Sequence, residues 1–272
     1  MRLGRALRPK EPRHFVVAVA AALLIVLAFA AASWLRPWSP KRGLGLFFGI
    51  AAALAFTLEM AYPLRRPHAR IFGTARAWLQ VHVYLGAVAF VAVAAHGGFR
   101  RPGGAMGWWL LLLSAWVCGS GLLGVFLQKW LPAALAEGLR VEALYERIPA
   151  LVEALTAEAD TLMADTSEAL ERFYADEVRP RLSRLSPSWT YLLDVRADRE
   201  RALDPFERMA RFVEPEEQAK VADLISLYTE KLELDAQRAV QGLLRRWTLV
   251  HVAPAGVLMA LLVVHIVTWW RY

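Results

Sequence analysis

The chain has 272 residues, of which 57% are hydrophobic and 21% charged, and its formal net charge is +7. The apolar fraction is too high for an intrinsically disordered chain and exceeds the share of about 45–50% that is typical of soluble domains. The single cysteine, Cys118, excludes a disulfide framework, a covalent C-x-x-C-H haem site and a cluster of thiolate ligands. A basic balance fits either nucleic-acid binding or a membrane protein with positive loops, and the distribution of the charge decides between them.

Five apolar segments are each long enough, at about 20 residues, to cross a bilayer as a helix. Short loops rich in Arg, Pro and Gly join the first four, and tryptophans lie near the segment ends, as in interfacial aromatic belts. The sequence therefore predicts an all-α fold, a polytopic membrane bundle of five transmembrane helices formed by residues 1–130 and 247–272. The segments are Phe15–Leu35, Leu44–Tyr62, Ala77–Ala95, Met106–Gln128 and Trp247–Trp270.

Residues 131–246, between the fourth and fifth segments, form a polar insert. Its apolar residues recur at helical spacing, as in Leu144, Ile148, Leu151 and Leu155, so we expect three or four amphipathic helices. The last of them is expected to begin near Pro215, because a proline followed by two glutamates suits a first helical turn. The insert contains no nucleotide-binding motif and no histidine.

The charge divides sharply between the two parts of the chain. The insert carries 16 basic and 23 acidic side chains, whereas the remaining residues carry 16 basic and 2 acidic ones. The positive charge therefore belongs to the membrane loops, which disfavours nucleic acid as a partner, and the acidic insert favours a partner protein with a basic surface. Nine Lys and Arg flank one side of the membrane and six the other, which predicts a cytoplasmic N-terminus and insert, in the inner (cytoplasmic) membrane of a bacterium.

Four of the six histidines lie in or at the edge of two apolar segments. His82 and His96 belong to the third segment, and His251 and His265 to the fifth. Ionisable side chains are costly inside a membrane and usually mark a functional site. Both spacings are 14 residues, which is within about 40° of four whole helical turns and spans about 21 Å along the axis. The two histidines of each segment should therefore share one helix face.

The third and fifth segments are expected to run in the same direction, because the insert stays on the side at which the fourth segment ends. His82 then lies level with His251, and His96 with His265. Each level can supply two axial nitrogens to one haem iron. A mononuclear metal site is disfavoured, since each level offers two nitrogens and no nearby Cys or Asp.

This pattern resembles the bis-histidine, two-haem membrane cytochromes b, and it is most similar to the ferric-reductase-like transmembrane core shared by NADPH oxidases. In that family the third and fifth helices carry the paired histidines. The resemblance implies two non-covalent haem b groups, with His82 and His251 as axial ligands of one iron and His96 and His265 of the other. It covers the membrane segments only, and we expect no flavin or nicotinamide domain and hence no oxidation of NADPH by this chain alone.

Basic residues near the histidines are candidate partners of the haem propionates, which need cationic or hydrogen-bonding contacts at each membrane face. Arg100 and Arg101 are the candidates on the outer side, and Arg76, Arg245 and Arg246 on the inner side. Positive-inside anchoring is the alternative interpretation for the inner group.

Small and acidic residues allow two interpretations. Gly86 and Gly256 follow histidines and either leave room for a macrocycle or serve ordinary helix packing. The pattern G-x-G-x-x-G at 119–124 is assigned to helix packing, because a dinucleotide site needs a strand before it. Glu59, an acid near the end of the second segment, either accepts protons from a quinol or extends to the interface.

These features favour a membrane-bound di-haem cytochrome b. It would transfer electrons between a quinol or cytoplasmic donor and an extracytoplasmic or partner-subunit acceptor. We expect an electron-transfer subunit, with a redox partner protein and a quinone as further partners. The alternative is a non-redox membrane scaffold or sensor that anchors a helical cytoplasmic domain.

Overall fold

The computed structural model describes residues 12–62, 75–135, 144–186 and 195–271, with the side chains of 75–76, 128–135 and 195–199 excepted. Within these ranges the chain is helical and contains no strand. The helices are α1 (Pro12–Leu35), α2 (Gly43–Glu59), α3 (Ala75–His96), α4 (Ala105–Leu135), α5 (Ile148–Met163), α6 (Glu168–Phe173), a π-helical turn (Tyr174–Val178), α7 (Arg179–Ser183), α8 (Val195–Met209) and α9 (Pro215–Arg271). The predicted all-helical fold is confirmed.

Several of these helices are suited to a lipid bilayer. Four of the described helices are long and apolar enough to cross a membrane, namely α1, α3, α4 and α9. Helix α2 is apolar but has only 17 residues, which is at the lower limit of about 17–25 residues for a span. The chain is thus consistent with an integral membrane protein, and a span through α2 stays a prediction.

The chain divides into two compact units. The first contains the described residues up to Phe126 together with those from Trp247 onward. Its core is small and apolar, with Ala55, Phe56, Ala89 and Leu258 buried together. Helix α3 packs against both α1 and α2, and alanines on α3 let the helix backbones approach closely.

The second unit comprises Leu127–Arg246. Leu170, Leu182 and Leu224 are fully buried in its main cluster. Helix α9 begins at Pro215 with two glutamates in its first turn, as the sequence predicts. On α9, Lys231 and Asp235 form a buried ion pair with an N–O distance of 2.5 Å.

Candidate functional site: two pairs of facing histidines

Helices α3 and α9 bring the four predicted histidines together as two pairs. The ring centroids of His82 and His251 lie 6.2 Å apart, and those of His96 and His265 lie 6.3 Å apart. The ring planes are nearly perpendicular in both pairs, at 81° and 85°. We call these the His82 pair and the His96 pair. Two contacts with the same geometry, 14 residues apart on each helix, indicate a repeated arrangement.

The separation of the rings can be compared with the values expected for a direct hydrogen bond and for metal ligation. A five-membered ring with bonds of about 1.35 Å has its centre about 1.15 Å from each atom. Two imidazoles joined by a direct hydrogen bond of about 2.9 Å would therefore have centroids about 5.2 Å apart. Two imidazoles on opposite sides of one metal, at about 2.0 Å from each nitrogen, would have centroids about 6.3 Å apart. The observed 6.2 and 6.3 Å are close to the second value, and they also lie in the range of about 4.5–7 Å for edge-to-face packing of two rings.

Three of the four imidazoles use Nδ1 for a contact with a neighbouring helix. His96 Nδ1 donates to the backbone carbonyl of Gly45 at 2.9 Å, and a carbonyl can only accept. His251 Nδ1 lies 2.9 Å from Ser120 Oγ, whose own proton goes to the Val117 carbonyl. In the tautomer of His251 with a proton on Nδ1, the Ser120 oxygen accepts from His251. In each case the second nitrogen, Nε2, keeps its lone pair.

The third contact joins His82 to an acid. His82 Nδ1 is in ion-pair contact with Glu59 Oε2, at the end of α2. Metal-binding histidines commonly donate the other ring N–H to a carboxylate, a carbonyl or a comparable acceptor. The donor set and its hydrogen bonds therefore fit a group that takes two Nε2 ligands.

Glycines on α2 and α4 leave the space that the imidazoles occupy. A Cβ atom on Gly49 would lie 2.6 Å from His96 Nδ1, and one on Gly121 would lie 3.3 Å from His251 Cε1. A Cβ on Gly124 would overlap the indole of Trp247. Two of the three glycines of the 119–124 pattern therefore lie against side chains of α9, Gly121 against His251 and Gly124 against Trp247. This supports the assignment of the pattern to packing.

Aromatic rings fix the orientation of the His82 pair. Tyr62 stacks on His82 with centroids 4.4 Å apart, and Trp247 stacks on His251 at 5.5 Å. The indole N–H of Trp247 donates to the Ser120 carbonyl at 2.8 Å. Both imidazoles are therefore held by a ring on one side and by a polar contact at Nδ1.

A cavity lies beside the His82 pair. Its lining includes His82, His251, Glu59 and apolar side chains of α2, α4 and α9. Gly86 also lines it, and a Cβ built on Gly86 would meet nothing within 4 Å. The open space next to Gly86 agrees with the interpretation that this glycine leaves room for a ligand.

Pro254 interrupts the hydrogen bonding of α9 close to His251. Proline has no N–H, so the Val250 carbonyl four residues earlier loses its partner within the helix. The indole N–H of Trp116 donates to this carbonyl at 3.1 Å. In an apolar environment such a donor is needed, and it also ties α4 to the turn of α9 that carries His251.

The helix that ends at His96 is closed by a tight turn. Gly98 and Phe99 both have positive φ, at 69° and 52°. A Cβ on Gly98 would lie 2.7 Å from Trp38 Cδ1, so a close approach adds to the backbone requirement for glycine. Trp38 Nε1 donates to the His96 carbonyl at 3.2 Å. The loop before α2 therefore helps to fix the end of α3 at which His96 lies.

The arginines predicted to contact the haem propionates lie in different parts of the chain. Arg100 and Arg101 are exposed in the turn that follows α3. Arg245 and Arg246 belong to the second unit, where Arg245 pairs with Glu146. The side chain of Arg76 lies outside the described residues.

Among the described residues, no three His, Cys, Asp or Glu side chains come together as a metal site. Each histidine pair thus offers two nitrogens, a number that suits the two axial positions of a haem iron and not a four-ligand zinc site. Comparisons with protein-family models, curated proteins and solved structures found no match to this chain. The geometry of the histidines carries the functional interpretation.

Proposed function

We propose that the chain is a membrane-bound di-haem cytochrome b that transfers electrons across the membrane. One observation carries the proposal: two histidine pairs on the same two helices have centroid separations of 6.2 and 6.3 Å, close to the value of about 6.3 Å worked out above for two imidazoles on one metal.

In this proposal, His82 and His251 bind one haem iron through Nε2, and His96 and His265 bind the other. A bound haem supplies reversible one-electron transfer. The chain's own residues do the rest: Gly45, Ser120 and Glu59 hold Nδ1 contacts that fix the ring orientation. Two histidines that hold each haem would leave no position for oxygen, so the bound group would supply electron transfer and not oxygen chemistry.

The two pairs are about 21 Å apart along α3, from 14 residues at about 1.5 Å each. Electrons that pass from one level to the other cross much of a hydrocarbon core of about 30 Å. Each such electron exchanges about 2.3 kcal/mol with a membrane potential of 100 mV. The donor is a quinol or a cytoplasmic protein, and the acceptor is an extracytoplasmic or partner-subunit group. In this proposal the N-terminus and the acidic insert face the cytoplasm of a bacterium, and the insert docks a basic partner.

Haem content tests the proposal directly. The full chain, purified from membranes, should show a reducible low-spin haem b spectrum with about two haems per chain, one for each bis-histidine level. His82→Ala and His251→Ala should each remove one haem, and the same one. His14→Ala is the matched control, because His14 lies on α1 next to Gln80 and belongs to neither pair. A colourless wild-type protein would refute the proposal and leave the scaffold alternative.

A further inference from the structure

The two histidine pairs differ in the chemistry of their Nδ1 contacts. In the His82 pair both contacts are side chains, the Glu59 carboxylate and the Ser120 hydroxyl. In the His96 pair, His96 donates to a backbone carbonyl, that of Gly45. A carboxylate is the strongest acceptor of the three, because hydrogen bonds to an ionised group are shorter and about twice as strong as neutral ones.

Glu59 is directed toward the site and not toward the membrane surface. Its side chain is only 10% exposed, Oε2 contacts His82, and the residue lines the cavity shared with His251. Its other oxygen, Oε1, has no hydrogen-bond partner among the described residues. Apart from Glu59, the chain outside the insert has one acid, Glu11, which lies outside the described residues. A buried acidic side chain is costly inside a membrane, so we expect Glu59, which contacts the candidate ligand His82, to have a function.

We propose that Glu59 is a positioning residue that acts through His82 and makes the haem of the His82 pair the lower-potential one of the two. This inference rests on the proposed function. An acceptor at Nδ1 raises the basicity of the ligating nitrogen, and a more basic ligand stabilises ferric iron relative to ferrous iron. The haem of the His96 pair lacks a carboxylate at the corresponding contact of His96.

The resulting electron distribution favours the His96 level. If the haems are held as proposed, His82 and His251 would hold the donor and His96 and His265 the acceptor of a one-electron exchange, in which one group is oxidised as the other is reduced. No proton, oxidant or further reactant takes part. Loss of contacts of this kind typically costs about 10–100-fold in metal affinity or activity, and we expect a change of at least tenfold in the electron equilibrium. A tenfold change in a one-electron equilibrium corresponds to about 59 mV.

Redox titration of the purified haem-loaded protein, at fixed pH and followed by visible spectroscopy, tests the inference. His82→Ala identifies which midpoint belongs to the His82 pair. We expect that midpoint to be the lower of the two in the wild type. In Glu59→Leu it should rise by at least about 59 mV, which corresponds to a tenfold change in the equilibrium constant. Glu59→Gln keeps an acceptor at this position and should show a smaller rise. The midpoint of the His96 pair should stay unchanged in both variants.

Thr57→Val is the matched control, because Thr57 is an exposed polar residue of α2 whose hydroxyl donates to its own helix, at the Ala53 carbonyl. It should shift neither midpoint. If Glu59→Leu fails to hold the haem, the midpoint of Glu59→Gln decides. Unchanged midpoints in the Glu59 variants, an equal shift of both, or a wild type whose His82 pair has the higher midpoint would overturn the inference alone. A wild type without haem would overturn the proposed function as well.

Discussion

Under the proposed function, Gly49 is the position at which the smallest substitution should remove one haem and leave the other. A methyl group on Gly49 would lie 2.6 Å from His96 Nδ1 and 2.8 Å from its Cε1. Ordinary van der Waals contact begins near 3.4 Å, so the imidazole would have to move by the difference, about 0.8 Å. The ring has little freedom to do so, because Nδ1 is hydrogen-bonded to Gly45 and the His96 carbonyl accepts from Trp38.

This displacement is large on the scale of metal coordination. Metal–ligand distances in proteins stay within about 0.2 Å of their ideal values, so the shift is about four times what a ligand can absorb. It also weakens the hydrogen bond to Gly45, which is worth about 0.5–1.5 kcal/mol. We expect Gly49→Ala to weaken haem binding at the His96 pair by about 10–100-fold, the range seen when contacts of metal ligands are lost.

The assay is the haem content per chain, measured from the pyridine haemochrome spectrum, together with a redox titration of the haem that remains. Gly49→Ala should retain about one haem per chain, that of the His82 pair. Gly119→Ala is the control, since a Cβ on Gly119 would meet nothing within 4 Å, and it should retain both. Two haems with wild-type spectra and midpoints in Gly49→Ala would refute this reasoning, as would an equal loss of both.

Three further predictions concern stability. Lys231→Met leaves Asp235 buried without its cation and should lower the free energy of unfolding by about 3–5 kcal/mol, measured by chemical denaturation followed by circular dichroism. The double change Lys231→Met/Asp235→Leu should recover most of this loss, and no recovery would contradict the ion-pair explanation. Hydrogen bonds, above all those from Arg179, hold the pKa of Asp160 below its usual range. Asp160 therefore stabilises the fold above about pH 4, and this contribution is lost as the pH falls through the lowered pKa. Asp160→Asn should remove this part of the acid dependence, and an unchanged acid unfolding curve would contradict the prediction. Trp116→Phe removes the hydrogen-bond donor to the Val250 carbonyl, which Pro254 cannot bind, and should lower the free energy of unfolding by about 1–3 kcal/mol. The midpoint of thermal unfolding should fall, and an unaltered midpoint would show that the carbonyl finds another donor.

The positions of the helices could be predicted from the sequence because apolar length and charge distribution determine them. Each of the five apolar segments falls within a described helix or overlaps one, and α9 begins at Pro215 as expected. The facing histidines could also be predicted, because a spacing of 14 residues fixes the helix face in any straight helix. Haem binding itself stays a prediction.

The contacts at Nδ1 could not be predicted, since they come from helices that carry none of the four histidines. Periodicity shows which face of a helix is special but not which neighbour packs against it. Gly45 and Gly49 illustrate this: four residues apart, they share a face and suggest close packing, but nothing in the sequence directs that face toward His96. The structure gives them two different tasks, a carbonyl that accepts from His96 and a space for its ring.

Trp247 shows that a tryptophan near the end of an apolar segment can also have contacts that the sequence does not predict. Its position at the start of the fifth segment suggests an interfacial anchor. In the structure its indole is half-buried, stacks on His251 and donates to the Ser120 carbonyl. A tryptophan suits both roles because its large apolar ring carries a single polar N–H, and only the position of Gly124, which makes room for the ring, separates the two.

The contacts that α2 and α4 make with the histidines also weigh against the scaffold alternative. Histidines that only join helices need one hydrogen bond each, through either nitrogen. Here α2 and α4 contact the same nitrogen, Nδ1, of His82, His96 and His251. Contacts at Nδ1 favour a tautomer whose Nε2 lone pair is available, which helps a ligand and adds nothing to a structural cross-link. A scaffold would be colourless in the wild type and would keep its stability with glutamine at any of these positions, whereas a cytochrome would be coloured in the wild type and would lose one haem in each glutamine variant.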